Sequence, residues 1–534
     1  MPRLRMGVRL LLIGMFLLPY PLHSAPSAQI ADGATLTHGI ASGDVTSHSV
    51  VIWSRANHEV YLHVAYDRNP DFSQPKTARP IFVTHESDYT GQVMLTGLQP
   101  STRYYYRVWL TAEPAGNQPE QPATTQGSFT TAPDGESSEP VAFVFGGDLG
   151  GQGLCRHHEK GYAIFTQMAA LKPDFFVANG DMIYADDGCP PERPLGAGAN
   201  GSPLPIWKNI PGRFPGVLSP TVNWTDLNQL RRVYRRHWQY NRADLAVQHF
   251  FQHVPMYAQW DDHEVLNDFG ARWTYWAQTA RERIGYPNLV TIGRETFFLY
   301  SPMARHPDEF QRIYRAFQWG QQLDLFLLDA RSYRSRNDLP DTQTHQKTLL
   351  GSAQLAWLKQ QLQDSQATWK IVSSDVPLSV PTGSQVHIVG RDGWANGNSP
   401  DFSAQTDQTG FERELLDLLH FLDETNVNNI VFITTDVHFA AQVRYALDAN
   451  EDGDLLIFHE LITGPLNAGM APAVTQTQLD PTLNPTLLYA QGDLFNFGFV
   501  QTQPHADGTV HLIADVRAEN GQIQSGSVLD LSPQ

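Results

Sequence analysis

The sequence predicts an α/β (α+β) core over 140–534, preceded by a small all-β domain over 36–132. Three observations carry this reading. Short segments of alternating polarity, separated by turn residues, fill the first region. Beyond it, apolar runs of strand length alternate with amphipathic helical stretches. Several of those runs end in aspartate, the position where α/β folds place their sites.

Residues 1–28, MPRLRMGVRLLLIGMFLLPYPLHSAPSA, come before either domain. Arg3, Arg5 and Arg9 form a positive start, Leu10 to Leu18 an apolar stretch, and Pro19 and Pro21 break it. Small residues follow at Ser24, Ala25 and Ala28. This is the layout of a cleavable secretory signal, too short for a stable membrane anchor. No adjacent arginine pair precedes the apolar stretch, which favours the general secretory route. No cysteine follows to carry a lipid, and no later run has transmembrane length. The expected location is therefore periplasmic or secreted.

In the β region, SVVIW (49–53), VYLHVAY (60–66), GQVMLTGL (91–98) and YYYRVWL (104–110) read as strands of an antiparallel sandwich. LTGLQPSTRYYYRV resembles the L-x-P-x-T-x-Y pattern of fibronectin type III domains, in which the tyrosine packs its ring and hydrogen-bonds through its hydroxyl. TAPDGESSEP (131–140) reads as a linker. VAFVFGG (141–147), the helix carrying Ile164, Phe165, Met168 and Leu171, and DFFVANG (174–180) make a βαβ unit. LDLFLLDA (323–330), WKIVSSD (369–375) and NIVFITTD (429–436) are further strands, with SAQLAWLKQQL and FERELLDLLHFL as helices between them. A mostly parallel core follows. The Pro-, Gly- and Asn-rich segments 186–225 and 464–500 are expected to form functional rims or lids.

The chain has 534 residues, a formal charge of −18 and two cysteines. Hydrophobic residues at 41% and aromatics at 11% describe a globular protein. Two cysteines exclude a disulfide framework and a Cys-rich zinc site. The acid excess argues against nucleic acid or an anionic membrane as partner, and no nucleic-acid-binding module is seen.

Four polar clusters sit where apolar strands end: GGDLGG with Asp148, NGDMIYADD with Asp181 and Tyr184, QWDDHEVLND with Asp262, His263, Glu264 and Asn267, and TTDVHFA with Asp436 and His438. One aspartate after a strand is commonly a cap or turn residue. Four such clusters in one domain are harder to explain that way. Carboxylates and imidazoles converging on one crevice need positive charge, because unpaired buried carboxylates do not ionise together. Hard oxygen donors with one or two imidazoles suit two adjacent hard or borderline cations. Such a pair holds hydroxide at neutral pH and clamps a phosphoryl group.

With these motifs the chain resembles the calcineurin-like metallophosphoesterases, and among them the alkaline phosphatase D (PhoD-like) family. THGIASGDVTSHSVVIWSRA (37–56), WDDHE (260–264), LDARSYR (328–334), GSAQLAWL (351–358) and TWKIVSSDVPL (368–378) carry the resemblance over nearly the whole mature chain. It implies a metallophosphoesterase sandwich core behind a fibronectin type III-like domain. It also implies hydrolysis of a small phosphate ester, monoester or diester, by hydroxide held between two metal ions. Asp148 would ligate the first ion and Asp181 bridge both. Tyr184, placed as in the G-D-x-x-Y motif of purple acid phosphatases, resembles a ligand of Fe(III), since a phenol of pKa near 10 needs a strong Lewis acid to stay ionised. Asp262 would hold the second ion, with Asn267 as an added candidate, and Asp436 and His438 would complete the centre. His263 would protonate the leaving alkoxide.

The chain departs from the pattern in two places. The best-known branch of the family has cysteine where Asp148 stands, and IVSSDVP lacks the superfamily's single histidine. Either Ser374 or Asp375 contributes there, or the second ion is an oxygen-loving one such as Ca²⁺; Zn²⁺ and Mn²⁺ remain in view. Arg331 either clamps phosphoryl oxygens through its bidentate fork or forms a structural ion pair. Cys155 and Cys189 follow two metal-binding loops and, in an exported chain, are expected to form one disulfide.

Other features carry less. DANEDGD (448–454) begins like a calcium loop but has His459 at the twelfth position, so a hairpin turn is expected. His157 and His158 are candidates for lining the crevice, and RWTYW (272–276) for walling a groove. NGS at 200 and NWT at 223 match glycosylation sequons. Two rival functions stay open: phospholipase D-like cleavage of lipid headgroups, and a non-enzymatic protein that binds a surface partner through its sandwich.

Overall fold

The computed structural model describes residues 33–115, 124–195, 205–270, 280–342, 344, 346–383, 389–397 and 409–534. The signal segment, the sequon at 200 and the aromatic run 272–276 lie outside the described residues.

The expected alternating segments are strands: β1 (Leu36–Gly43), β2 (Ser49–Ala56), β3 (Val60–Asp67), β4 (Lys76–Thr77), β5 (Ile81–Val83), β6 (Thr90–Thr96), β7 (Arg103–Thr111) and β8 (Thr125–Thr130). β1, β2 and β6 form one layer, β4, β3, β7 and β8 the other, and β5 adds to β3. Their inward residues, among them Ile40, Ile52, Leu62, Val64, Tyr106 and Val108, are buried together. The Tyr104 ring stacks on Phe129, and its hydroxyl accepts the Gln99 N–H at 3.0 Å.

The remaining elements are β9 (Ala142–Gly146), α1 (Ile164–Ala170), β10 (Phe175–Asn179), β11 (Glu192–Pro194), β12 (Ile206–Lys208), α2 (Leu227–Arg242), α3 (Leu245–His253), β13 (Met256–Gln259), α4 (Ala280–Tyr300), β14 (Arg315–Trp319), β15 (Leu323–Leu327), α5 (Gly351–Asp364), β16 (Trp369–Ser373), α6 (Glu412–Glu424), β17 (Ile430–Thr434), β18 (Ala440–Leu447), β19 (Leu456–Ile462), β20 (Pro485–Gln491), β21 (Asn496–Pro504), β22 (Val510–Ala518) and β23 (Leu529–Leu531).

They build two mixed sheets rather than one mostly parallel sheet. The first runs β23-β22-β21-β9-β10-β13-β1-β2-β6 and the second β14-β15-β16-β17-β19-β18-β20. Parallel pairing is confined to their centres: β9, β10, β13 and β1 in one, β15, β16, β17 and β19 in the other. The sequence could not separate these cases, because a strand covered on both faces is apolar throughout whether a helix or a second sheet covers it.

Side-chain alternation assigns the faces. Phe143, Phe145, Phe175 and Val177 meet Leu325, Leu327, Ile371, Val431 and Ile433 between the sheets. The intervening residues Val144, Phe176 and Ala178 pack outward under α1 to α4, beside Phe165, Leu230, Trp238 and Phe250. Phe326, Val372 and Phe432 pack outward under α5 and α6, beside Leu358, Leu415 and Leu418. The order is helix, sheet, sheet, helix.

The first sheet also runs into the N-terminal layer, since Gly43 of β1 lies parallel and opposite Met256 of β13. A Cβ on Gly43 would sit 2.3 Å from the Pro302 carbonyl oxygen and 2.6 Å from that of Met256, so glycine permits this close approach. The two segments expected as irregular rims are partly regular. Residues 186–225 contain the β11–β12 pair, and 464–500 contain β20, the edge of the second sheet. DANEDGD is the turn between the antiparallel strands β18 and β19, as expected. No helix among the described residues is long and apolar enough to cross a membrane.

Leu325 is fully buried between the sheets. Leu325→Ala is expected to lower the free energy of unfolding by about 2–5 kcal/mol. Denaturant unfolding checks this, and a loss under ~1 kcal/mol would contradict the placement.

Candidate metal centre

The strands of both sheets deliver their carboxyl ends to one crevice. Asp148 follows β9, Asp181 follows β10, Asp261 to Glu264 follow β13, Asp375 follows β16 and Asp436 follows β17. Asp148, Asp181, Asp436 and His438 all have left-handed backbones, with φ of 63°, 52°, 74° and 61°. This conformation costs about 1–2 kcal/mol per non-glycine residue and clusters at functional sites. Two glycines make room. A Cβ on Gly180 would lie 2.4 Å from that of Asp261, and one on Gly464 would lie 2.2 Å from Asp148 Oδ2.

One donor set is tight. Tyr184 Oη lies 2.8 Å from His438 Nε2 and 3.4 Å from Asp148 Oδ1, and His438 Nε2 lies 3.4 Å from the same carboxylate oxygen. Neighbouring donors on one cation with bonds near 2.0–2.2 Å sit about 3 Å apart, so the three atoms fit a shared ion. His438 Nδ1–H donates to the Gly469 carbonyl, which fixes the tautomer and turns the Nε2 lone pair toward Tyr184. Asp148 is fully buried, and its Oδ2 accepts no hydrogen bond.

The second set centres on Asp262. Ligand atoms of Asp181, Asp262 and His263 lie within 4.8 Å of one another, as do those of Asp261, Asp262 and Asp436. Asp262 Oδ1 and Asp261 Oδ2 are buried without hydrogen-bond partners. Burial raises the carboxyl pKa of Asp181 and Asp436 well above its usual value, and repulsion from Asp261 and Asp262 adds to this. Burial likewise lifts Asp262 to about 6, against the pull of Arg331 and His263. Burial and mutual repulsion thus disfavour full ionisation of this cluster, and a nearby cation would offset both. The orphaned oxygens and the oxygen-rich donor set therefore fit hard or borderline cations.

His263 stacks on the Tyr184 ring with centroids 3.9 Å apart. Its Nδ1 lies 2.6 Å from Asp186 Oδ1, and its backbone N–H donates to Asp181 Oδ1 at 2.9 Å. Burial disfavours its charged form, but Asp186, Asp181 and Asp262 outweigh that and raise its pKa well above the usual value. Glu264 accepts the N–H groups of Asp181, Met182 and Asp261 at 3.0, 2.8 and 2.9 Å, tying the β10 loop to the β13 loop.

Arg331 forms buried ion pairs with the carboxylates behind the crevice. It is fully buried, and its guanidinium is occupied by Asp261 (Nε, 2.7 Å), Asp375 (Nε, 3.1 Å) and Asp392 (Nη1, 2.9 Å), with Asp262 at 3.8 Å from Nη2. This realises the structural ion pair weighed against the phosphate clamp. Asp375 is thereby engaged as an ion-pair partner, and the Ser374 hydroxyl donates to the Val376 carbonyl at 2.9 Å. Asn267 donates its backbone N–H to Asp186 Oδ2 at 3.0 Å, at the edge of the same carboxylate cluster. His157 packs its ring on Trp207, so it serves the wall of the 186–225 segment.

Cys155 and Cys189 are bonded, with Cα atoms 5.9 Å apart. The bond ties the loop after β9 to the loop carrying Tyr184, Asp186 and Asp187. Asp187 reinforces the tie by accepting the Gln152 N–H at 2.6 Å.

Asp186, Asp261 and Asp392 are the site residues that motif reading did not single out. Asp186 and Asp261 stand inside quoted motifs, so adjacency to Tyr184 and Asp262 was an available signal. Asp392 lies in RDGWANG, with no flanking pattern to mark it.

Residues 151–509 match the family described as PhoD-like phosphatase, and residues 23–133 match the PhoD-like phosphatase N-terminal domain. A curated relative, alkaline phosphatase D of Bacillus subtilis (strain 168), is 24% identical over 484 residues, covering 84% of this chain and 72% of that protein. A solved structure titled "Structure of PhoD" aligns with a TM-score of 0.68 at 18% identity, covering 96% of this chain and 94% of that one. Purple acid phosphatase PPD1 from yellow lupin seeds aligns at 0.56 and 12% identity, covering 93% and 74%. At these identities the two structures speak for the fold. The family match makes the protein an enzyme, a phosphoesterase of the hydrolase class, and sets aside the non-enzymatic rival. The chain belongs to the PhoD-like phosphatase family.

Removing the Arg331 guanidinium strands several buried carboxylates. Arg331→Ala is expected to cost about 3–5 kcal/mol of stability. Denaturant unfolding of the variant is the check; stability within ~1 kcal/mol of wild type would contradict this role.

Proposed function

We propose that the protein is an exported binuclear metallophosphoesterase that cleaves small phosphomonoesters, phosphodiesters or both. The observation that carries the reading is the buried carboxylate cluster with orphaned oxygens beside the Asp148–Tyr184–His438 triangle. Asp148, Tyr184, His438 and Asp181 would hold one ion, for which Fe(III) suits the phenol. Asp181, Asp262 and Asp436 would hold the other, for which Ca²⁺, Zn²⁺ or Mn²⁺ suits the oxygen donors. When bound, the ions supply positive charge to the phosphoryl group and lower the pKa of water.

The chain's own groups do the rest. A water oxygen forms a bond to phosphorus and releases one proton to solvent, the ester P–O bond breaks, the departing alkoxide takes a proton from His263 Nε2, and solvent returns a proton to His263 before the next turnover. Asp186 accepts the Nδ1–H of His263 and so directs Nε2 into the crevice, while the Tyr184 ring fixes the imidazole plane. Arg331 neutralises part of the carboxylate charge from behind.

The disulfide supports export, and so does the signal layout at 1–28. Residues 36–132 and 140–534 remain the proposed division into domains. The two facing layers and the Tyr104 hydroxyl contact support a fibronectin type III-like reading of the first.

Asp181→Asn is expected to abolish turnover of p-nitrophenyl phosphate and of its bis-ester and to remove both metals by elemental analysis. His263→Ala is expected to lower kcat by about 10²–10⁴ with both metals retained. Wild-type turnover in Asp181→Asn would sink the two-metal proposal.

A further inference from the structure

We propose a buried anion site, for one chloride or another small halide, beside Arg242. A cavity of about 20 Å³ lies between β13 and the helices α2, α3 and α4. Leu149, Met182, Val247, Phe251, Met256 and Phe297 give it apolar walls, and no lining residue is more than 7% exposed. Among the described residues, Arg242 is the one charged side chain of the lining, and no carboxylate joins it.

Arg242 ends α2, and its guanidinium makes a single hydrogen bond among the described residues, from Nη2 to the Tyr300 carbonyl at 2.8 Å. No carboxylate oxygen of those residues lies within 4.0 Å of it. Its guanidinium carbon lies over the Trp53 and Phe251 rings, 5.0 and 4.7 Å from their centroids. Such rings compensate part of the charge but offer no lone pair in the plane of the N–H groups. Asp88 reaches the Tyr300 hydroxyl but is paired with Arg55 at 3.0 Å. Arg331 and Arg334, equally buried, each have a carboxylate partner. An uncompensated buried charge is strongly unfavourable, and water supplies an acceptor without the opposite charge.

The other polar groups of the lining narrow the ligand. Asn241 donates to the carbonyls of Leu149 and Met182 at 3.1 and 2.8 Å and accepts the Tyr162 hydroxyl at 2.6 Å. Gln259 is engaged with Ser373 and Asp375. The Ser301 hydroxyl makes no hydrogen bond to the described residues. Arg242 and Ser301 therefore offer donors, the signature of an anion rather than a cation. The volume is on the order of that needed for one water, which admits a halide and excludes phosphate or sulfate. Leu149 and Met182 directly follow Asp148 and Asp181, so the anion would sit behind the loops that carry those carboxylates. The site stands on the burial of Arg242 and is independent of the proposed reaction.

Crystals of the enzyme with its catalytic metals in place, grown in sodium bromide, test the site by anomalous diffraction at the bromine edge. One peak beside Arg242 and Ser301 is expected, and no peak there overturns the site. In solution, thermal unfolding is followed as chloride replaces gluconate at constant ionic strength. The wild-type midpoint should rise by about 1 °C for each tenfold increase in chloride above its dissociation constant. Arg242→Gln should show no such rise, and Ser301→Ala should need higher chloride for the same rise. A wild-type midpoint indifferent to chloride, or an equal rise in Arg242→Gln, overturns the site. Should Arg242→Gln not fold, the bromine peak in the wild-type protein decides alone.

Discussion

Buried negative charge is the constraint on which the rest of this structure depends. Asp148, Asp181, Asp261, Asp262, Asp375 and Asp392 are each at most 2% exposed, and Asp436 opens only partly to the crevice. Desolvating each ionised carboxylate costs several kcal/mol unless an opposite charge is close. Arg331, with Arg334 beside it on Asp392, supplies the permanent part of that charge. Asp148 Oδ2 and Asp262 Oδ1 accept no hydrogen bond from the protein, which leaves them as candidate ligands for cations. The centre is thus divided: a rear wall neutralised by arginine and a front face suited to metal.

The architecture serves that division. Two sheets pack face to face, so strand ends from both reach one crevice, and each side contributes carboxylates. Left-handed residues directly after β9, β10 and β17 aim those side chains inward within one or two residues of a rigid strand. Glu264 couples two of the loops through three backbone N–H groups, and the Cys155–Cys189 bond couples the β9 loop to the one bearing Tyr184 and Asp186. The donor atoms are therefore held by short, cross-braced loops.

Much of the centre is legible in the sequence. Asp148, Asp181, Tyr184, Asp262, Asp436 and His438 each stand just past an apolar run, and the structure gathers them. The cysteine pairing and the DANEDGD turn also follow from local spacing and compartment. What the sequence hides is convergence from distant segments. Arg331 meets Asp261, Asp375 and Asp392 only in three dimensions, so LDARSYR reads equally as a phosphate clamp or an ion pair. The second sheet is hidden for a related reason: Leu325, Ile371 and Val431 look the same under a helix as against another strand. The join of β1 to β13 turns on the absent side chain of Gly43, which no periodicity signals.

On the proposed function, cations complete the neutralisation that Arg331 begins. The most direct test is elemental analysis of the protein purified without added metal, read beside its phosphatase turnover. Two metal ions per active chain is the predicted result. Full turnover with one ion or none per chain would contradict the claim.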